Sequence, residues 1–261
     1  MFPSELPPIS NKPLYVYRVF AKWLSFFIIG FCSIILGILV LPVMRLFLRP
    51  KIRFQKYGRR FISGALRFFI FLMHSMRIVN LEVDDRKKFR ELSSKVVVAN
   101  HPSLLDVVML ISLIPNADCI VNAYLKRNVL MGVVLQLYIL GSRELDDILD
   151  SCRESLNLGN CLIIFPEGTR TPRTGRNILK KGAARIALAY GCAIVPVHIG
   201  GTDKFGLGKK DPITGFNPRE RYIYRLTIGE EIKPDKYMSL PTPAAARAIT
   251  NEISKTLFPA L

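Results

Sequence analysis

Acidic residues are missing from one long stretch of this chain. Between Leu6 and Leu81 there are twelve Lys or Arg and no Asp or Glu, whereas Glu82 to Leu261 carries 25 basic and 19 acidic residues. The basic residues of the first stretch flank and interrupt long apolar runs. This pattern is typical of a segment that faces anionic lipid headgroups, so we expect membrane lipids and not nucleic acid as the partner.

Patterns for metal binding and for disulfides are missing as well. The chain has five cysteines, with no Cys-x-x-Cys pair and no histidine at ligand spacing: Cys32, Cys119, Cys152, Cys161 and Cys192. This cysteine pattern argues against a zinc site and against a disulfide framework. We also expect no other metal and no cofactor. Cys161 and Cys192 lie inside or beside apolar strand-like runs and are best explained as small residues of a core that folds in a reducing compartment.

The first part of the chain predicts a membrane anchor. The 22 residues from Trp23 to Met44 carry no charge, which is long enough to cross a bilayer core and too long for a signal-peptide core. A second apolar run, Phe61 to Met76, is interrupted by an arginine and a histidine. Together the two runs predict a helical hairpin lying in one leaflet at least as readily as two crossings. The alternative for the second run is an ordinary core helix.

From Leu81 onward, short β-branched runs alternate with helical stretches. Candidate strands cover 96–99, 119–122, 161–165, 193–199 and 222–228, and candidate helices cover 103–114, 145–158, 182–190 and 243–257. Apolar strands separated by helices predict an α/β fold with a mostly parallel central sheet covered by helices on both faces. We therefore divide the chain into a leader with membrane-anchoring helices, 1–80, and an α/β domain, 81–261.

One candidate site is Asn100 to Asp106, read Asn-His-Pro-Ser-Leu-Leu-Asp, between a predicted strand and a predicted helix. Ser103 and Asp106 have the spacing of a capping box with Ser103 as N-cap, which leaves His101 an ordinary loop residue. The functional alternative follows from side-chain direction, because a helical side chain leans toward the N-terminus and Asp106 would then face His101. A carboxylate facing an imidazole holds a base in one tautomer.

The second candidate site is the block 159–175, which contains Phe-Pro-Glu-Gly-Thr-Arg at 165–170. The motif 165–170 begins where the predicted strand 161–165 ends, and in open α/β sheets ligands bind at that end of the strands. Arg170, Arg173 and Arg176 predict an anion site suited to phosphate. The alternative is a solvated basic loop in which Glu167 pairs with one arginine.

Two further blocks carry weaker signals. Tyr124 to Glu144 combines basic residues with an apolar run, which suits an amphiphile with a charged head and equally suits a helix and strand with charged ends. In Ile194 to Val197, read Ile-Val-Pro-Val, the proline predicts an edge strand, a bulge or a strand end. That strand either packs in the core or lines an acyl groove.

In this order and spacing, Asn-His-Pro-Ser-Leu-Leu-Asp, Phe-Pro-Glu-Gly-Thr-Arg and Val-Pro-Val resemble the motifs of the glycerolipid acyltransferase family. The resemblance covers about Val96 to Gly200. It implies a membrane-associated O-acyltransferase of phospholipid biosynthesis, with coenzyme A or acyl carrier protein carrying the acyl donor. It also implies a lysophospholipid acceptor, most simply 1-acyl-sn-glycerol-3-phosphate, which would give phosphatidate.

The resemblance also implies roles for individual residues. By it, His101 is the general base and Asp106 is its partner. Four residues would help to bind the phosphate of the acceptor: Glu167, Gly168, Thr169 and Arg170. Arg143, within Gly-Ser-Arg, resembles the basic residue of a less regular second motif.

The chemistry agrees with this interpretation. A hydroxyl that attacks a thioester must lose its proton, and an imidazole with a usual pKa of about 6.5 can accept it near neutral pH. The sequence has no Gly-x-Ser-x-Gly elbow and no other evident nucleophile, so we predict direct transfer without an acyl-enzyme. The donors that stabilise the oxyanion are not identified by the sequence.

Two alternatives stay open. The acceptor could be another lysolipid, such as a lyso-ornithine lipid or a lysophospholipid with a larger headgroup, or the chain could be a non-catalytic lipid-binding protein. If the first apolar run crosses the membrane, the positive-inside rule places the later part of the chain in the cytoplasm, because more basic residues follow Met44 than precede Trp23. We expect a membrane-associated protein with its catalytic domain on the cytoplasmic side, most simply of a bacterial inner membrane.

Overall fold

A seven-stranded sheet organises the part of the protein that the structure describes. A computed structural model describes residues 8–121, 134–140, 145–173 and 175–259. The strands follow the spatial order β1-β7-β6-β2-β5-β3-β4. Their bounds are β1 Val79–Val83, β2 Val96–Ala99, β3 Ala117–Val121, β4 Ile139–Leu140, β5 Cys161–Ile164, β6 Ile194–Gly201 and β7 Tyr222–Ile228.

Eight α-helices lie in the described part of the chain. The first continues through a π-helical turn at Leu36–Val40 into the second. Their bounds are α1 Lys12–Ile35, α2 Leu41–Phe47, α3 Lys51–Ser75, α4 Arg86–Glu91, α5 Asp106–Leu113, α6 Leu145–Asn157, α7 Gly182–Tyr190 and α8 Thr242–Leu257. Short 3₁₀ helices cover Val134–Leu137 and Pro234–Tyr237.

The sheet is mostly parallel and is covered on both faces, as the continuous apolar strands predict. Among the described strands only the β6–β7 pair is antiparallel. In β2, Val97 and Ala99 face a core shared with α1, α3 and α5, whereas Val96 and Val98 face a core shared with α6, α7 and α8. The α/β interpretation of the sequence is therefore confirmed.

The sequence patterns miss two strands. In β1 the polar residues Asn80 and Glu82 interrupt the apolar residues, because β1 is an edge strand that pairs only with β7 among the described strands. β4 contains just two residues and is too short for any periodicity. Both lie at the outer edges of the sheet, so their absence from the prediction does not change the centre of the fold.

Pro196 lies in the centre of the sheet, and not at an edge. β6 is flanked by β2 and β7, but the β6–β7 ladder begins at Val197, which pairs with Ile228. The Pro196 carbonyl accepts a hydrogen bond from Gly229 N–H at 2.8 Å, on the side where this ladder has ended. Since the N and the carbonyl of one strand residue point to the same side, the missing N–H of Pro196 interrupts no ladder bond.

The first two apolar segments form a pair of long helices. Lys12 to Phe47 is continuously helical, and by length and composition alone it could cross a membrane, with a mean hydropathy of 2.8 over 18 residues. The Tyr17 hydroxyl donates to the Met76 carbonyl, and the Arg45 guanidinium lies 5.7 Å from the centre of the Phe54 ring. Since the start of one helix contacts the end of the other and the reverse, the two run antiparallel.

The helix α3 has two different faces. Its inner face buries residues such as Phe54, Ile62 and Met73 against α5 and the sheet, whereas Phe68 and Phe71 are exposed on the outer face. The interpretation of this run as a core helix therefore describes its inner side. Because the same apolar cluster contains residues from both parts of the chain, the division at residue 80 stays a prediction.

Candidate active site

The two main motifs meet because their strands are neighbours. β2 and β5 pair in parallel, so the loops that follow them leave the same edge of the sheet. The His101 N–H donates to Glu167 Oε1 at 3.1 Å, and Thr171 N–H donates to the His101 carbonyl at 2.7 Å. The His101 ring stacks on the Phe165 ring with 4.2 Å between their centres. Residues more than sixty positions apart thus form one loop cluster.

The centre of this cluster is a hydrogen-bonded pair of His101 and Asp106. His101 Nδ1 lies 2.8 Å from Asp106 Oδ2, and the carboxylate is fully buried while the imidazole keeps 17% of its surface exposed. Ser103 adds two donors, its N–H to Oδ2 at 2.7 Å and its hydroxyl to Oδ1 at 2.6 Å. A carboxylate only accepts hydrogen bonds, so Nδ1 carries the proton and Nε2 presents its lone pair.

Half of the predicted capping box is present. The helix α5 begins at Asp106 with Leu105 as N-cap, and Ser103 is therefore not the N-cap. Asp106 still reaches back to the Ser103 N–H, as a capping-box carboxylate does, but one oxygen, Oδ2, serves both this N–H and the imidazole.

The side chain of Asn100 fastens the dyad loop to the sheet. Its amide Nδ2 donates to the Ile199 carbonyl at 2.9 Å, and its Oδ1 accepts from the Ile199 N–H at 2.7 Å. This pair of bonds joins the end of β2 to β6, and the residue is buried. The motif contains Asn100, but its spacing gives no sign of a partner 99 residues away.

Glu167 is buried and organises the second loop. Its carboxylate accepts from the His101 N–H, from the Thr171 hydroxyl and from Asn177 Nδ2, the last at 2.6 Å. Its hydrogen bonds thus join the two motif loops, whereas the sequence alternative had paired it with an arginine. Gly168, with φ +66°, and Thr169 follow at the exposed side of the turn.

The three arginines after this turn point to three different partners. Arg170 Nη1 donates to the carbonyls of Leu207 and Gly208 at 2.9 and 2.8 Å. Arg173 forms ion pairs with Asp203 and Asp211, and Arg176 lies 5.6 Å from the centre of the Phe258 ring. The arginines therefore do not form the single cluster that their spacing suggested. Arg170 is the one that stays beside the dyad loop, since Leu207 also accepts from the Leu104 N–H.

Lys180 is a cation at this turn that the sequence argument missed. Its N–H donates to the Pro166 carbonyl at 2.8 Å, and its side chain crosses Gly168 so closely that a Cβ there would lie 2.7 Å from Nζ. A glycine at position 168 thus allows both the left-handed backbone and the approach of the lysine. Lys180 lies sixteen residues after the end of β5, so the local sequence carries no signal of this contact.

Other predicted features fall elsewhere. Arg143 and most of the block Tyr124 to Glu144 lie outside the described residues.

Among the residues that are described, no group of three His, Cys, Asp or Glu side chains is arranged to hold a metal ion. The four cysteines after residue 100 are buried or half-buried, and burial raises the pKa of Cys152 to about 12. Such a thiol stays protonated at neutral pH and is a poor nucleophile.

Comparisons with known proteins find similarity to acyltransferases over the segment that contains this site. The acyltransferase family model matches residues 80–200. A chloroplastic 1-acyl-sn-glycerol-3-phosphate acyltransferase of Arabidopsis thaliana is 35% identical over 115 residues, which are 42% of this chain and 32% of the plant protein. The 1-acyl-sn-glycerol-3-phosphate acyltransferase of Helicobacter pylori is 32% identical over 161 residues, 58% of this chain and 64% of the bacterial protein. The chain thus spans about a third of the length of the plant relative.

The fold has a solved counterpart. The crystal structure of the 1-acyl-sn-glycerophosphate (LPA) acyltransferase PlsC from Thermotoga maritima matches with a TM-score of 0.68 at 20% identity. The match covers 95% of this chain and 99% of that one, so it includes the long N-terminal helices. The segment that matches the acyltransferase family model, residues 80–200, holds both motif loops and the His101–Asp106 pair.

Proposed function

We propose that this protein transfers an acyl group from a thioester of coenzyme A or acyl carrier protein to a lysophospholipid. The acceptor is most simply 1-acyl-sn-glycerol-3-phosphate, whose free hydroxyl is esterified to give phosphatidate. The observation that carries the proposal is the 2.8 Å bond between His101 Nδ1 and the buried Asp106 carboxylate, at the strand edge where the two motif loops meet. The names of the relatives support this choice of acceptor.

The proton moves through His101 Nε2. As the acceptor hydroxyl attacks the thioester carbonyl carbon, Nε2 takes its proton, and Asp106 stabilises the imidazolium that forms. The tetrahedral intermediate then collapses, the carbon–sulfur bond breaks, and the imidazolium returns the proton to the leaving thiolate. No bond forms to the protein, which fits a site whose surroundings hold no activated nucleophile among the described residues.

The phosphate of the acceptor is placed at the exposed turn of the second loop. Gly168 and Thr169 are exposed there, Arg170 contributes charge from the side of the dyad loop, and Lys180 Nζ lies against Gly168. The Gly168 N–H already donates to the Phe165 carbonyl at 3.0 Å, so the nearby cations are the groups that suit a phosphate here. Glu167 contributes indirectly by fixing the turn, because all three groups that donate hydrogen bonds to its carboxylate belong to the protein's own loops.

The long helices α1 to α3 are proposed to lie in the cytoplasmic leaflet of a membrane. Near one end of the α1–α2 helix, Arg18 Nη1 donates to the Arg219 carbonyl, and near the other end Arg45 Nε contacts Gln136 Oε1. Since both ends touch the α/β domain, the helix lies along the domain and does not lead away from it. Its outward side carries exposed apolar residues, among them Phe20, Phe27, Phe31, Ile38 and Phe47.

The test is a donor-by-acceptor activity panel with the detergent-purified full chain and a histidine variant. We expect His101→Ala to lower turnover by about 10²-fold or more, because it removes the general base. The matched control is His198→Ala, since His198 Nδ1 bonds the Leu257 carbonyl and the residue belongs to neither motif loop. Near wild-type turnover in a folded His101→Ala enzyme would remove His101 from the mechanism.

The same panel separates the alternatives. Preference for a lyso-ornithine lipid, or for a lysophospholipid with a larger headgroup, would change the acceptor and leave the mechanism in place. A folded wild-type protein that binds lysolipid and transfers no acyl group from any thioester would support a lipid-binding protein instead.

A further inference from the structure

A tyrosine hydroxyl lies directly behind the His101–Asp106 pair. Tyr224, on β7, is fully buried, and its Oη lies 2.7 Å from Ser103 Oγ, although the two residues are 121 positions apart. Ser103 is the residue that gives two hydrogen bonds to Asp106. A chain of hydrogen bonds therefore runs from the imidazole through the carboxylate and the serine to the phenol.

The donors and acceptors of this chain have a fixed order. An ionised Asp106 only accepts, so the single hydroxyl proton of Ser103 goes to Asp106 Oδ1. Ser103 Oγ then accepts, from the Leu105 N–H at 3.2 Å and from the Tyr224 hydroxyl. Burial raises the pKa of Tyr224 well above its usual value, and the charge of Asp106 acts in the same direction. The phenol therefore stays protonated and can donate this hydrogen bond.

A buried lysine packs against the same tyrosine. Lys204 Nζ lies 4.6 Å from the centre of the Tyr224 ring and donates to the carbonyls of Ile223, Thr202 and Gly200. The ring of Tyr224 is thus held on β7 by a cation that is itself fixed by backbone carbonyls.

The charges around Lys204 explain its protonation. Burial lowers the pKa of Lys204 to about 8, while the carboxylates of Asp106, Asp203 and Glu220 act to raise it. At neutral pH the ammonium is therefore mostly present, and it is a positive charge close to Asp106.

We propose that Tyr224, with Lys204 packed against its ring, is a positioning residue for the His101–Asp106 dyad and acts through Ser103. The Tyr224 hydroxyl draws electron density from Ser103 Oγ, which strengthens the hydrogen bond that Ser103 donates to Asp106. The stronger hydrogen bond fixes the Asp106 carboxylate against His101 Nδ1. The inference rests on the proposed function, because it assumes that His101 acts as a base.

The test compares Tyr224→Phe with Tyr222→Phe in the detergent-purified full chain. Both tyrosines are fully buried on one face of β7, but the Tyr222 hydroxyl donates to the Phe205 carbonyl at 2.6 Å and not to the dyad. Each variant removes one oxygen, so both lose a buried hydrogen bond of the same kind. Only in Tyr224→Phe does the lost hydrogen bond belong to the chain that leads to the dyad.

We expect Tyr224→Phe to lower kcat by about three- to tenfold, with the KM of the acceptor unchanged. A less stabilised Asp106 charge favours the imidazolium, so the acidic limb of the kcat profile should move to higher pH by about half a unit. The profile of Tyr222→Phe should keep the wild-type shape and position. A purely structural role of Tyr224 would change the active fraction or the stability without moving that limb.

A double-mutant cycle with Ser103→Ala tests the route. If Tyr224 acts through Ser103, Tyr224→Phe should have no further effect on kcat in the Ser103→Ala enzyme. Additive effects, or an unmoved acidic limb in Tyr224→Phe, would overturn the inference while the activity of the wild type stands. A wild type without acyl transfer would instead reject the proposed function itself.

Discussion

The imidazole of His101 is held from two sides at the residue scale. Asp106 binds Nδ1 and the Phe165 ring stacks on the imidazole face, so both the direction and the plane of the ring are set. The backbone of the same residue is fixed by Glu167 and Thr171. The proposed role of His101 as a general base requires this orientation, because proton transfer depends on the position of Nε2 relative to the acceptor hydroxyl.

A prediction at this scale concerns Arg170. Replacing it with alanine removes a cation and two hydrogen bonds to the 207–208 carbonyls, and we expect the KM of the acceptor to rise about tenfold or more. Arg170→Lys should recover part of this loss, since it keeps the charge. Steady-state kinetics with acceptor and donor varied in turn measure both effects.

The control is Arg153→Ala, which removes an exposed arginine paired with Asp150 on α6 and should leave both KM values unchanged. A change confined to the KM of the donor would show that Arg170 serves the thioester side, and the phosphate assignment would then be wrong.

At the scale of elements, a buried ion pair ties α3 to the sheet. Arg59 Nη2 lies 2.6 Å from Asp118 Oδ2, and Arg59 Nε donates to the Leu137 carbonyl at 2.6 Å. Ser155 and two backbone N–H groups complete the bonds of the carboxylate. Burial raises the pKa of Asp118, and the Arg59 charge opposes that rise, so the charged form depends on its partner.

We predict that Arg59→Met lowers the free energy of unfolding by about 3–5 kcal/mol, because it leaves a buried carboxylate without its counter-charge. Denaturant unfolding in a fixed detergent measures the change. Adding Asp118→Asn to this variant should restore part of the loss, since the unpaired charge is then gone.

The matched control for this prediction is Arg225→Met, which breaks the exposed pair of Arg225 and Glu82 between β7 and β1. An exposed pair contributes roughly 0–1 kcal/mol. Equal losses in Arg59→Met and Arg225→Met would contradict the role given to the buried pair.

At the scale of the whole molecule, most of the large exposed apolar side chains of the described residues lie on the long helices. We predict that Phe27→Glu, at a side chain that is 72% exposed on α1, weakens binding to lipid vesicles by about 30-fold or more. The variant loses the burial of the phenylalanine ring in lipid, and the charge of the new glutamate must stay outside the lipid. Flotation of the full chain with vesicles measures the bound fraction.

The control is Met238→Glu, which makes the same change at a side chain that is 67% exposed beyond the long helices. It should leave the bound fraction as in the wild type. If the two variants lost vesicle binding equally, the outward face of α1 would not be the membrane-contacting surface.

Much of this architecture could be predicted from local patterns. The strand β2, Val96–Ala99, and the helix α7, Gly182–Tyr190, have the bounds that their apolar patterns predict. The edge strand β1 was missed, because its alternating polar residues weaken the signal on which the prediction depends. The arginines after the second motif also could not be assigned, since their partners Asp203, Leu207 and Phe258 lie on segments whose approach no short-range pattern encodes.

The sequence by itself determined the residues of the dyad, the alternation of strands and helices, and the apolar, basic character of the first eighty residues. These are properties of neighbouring residues, and composition and spacing carry them directly. Only the tertiary structure decided that β2 and β5 are adjacent, that Glu167 binds the backbone of His101, and that Tyr224 stands behind Ser103. Such contacts depend on the order of strands in the sheet, because hydrogen bonds between residues 66 and 121 positions apart form only after the chain has packed.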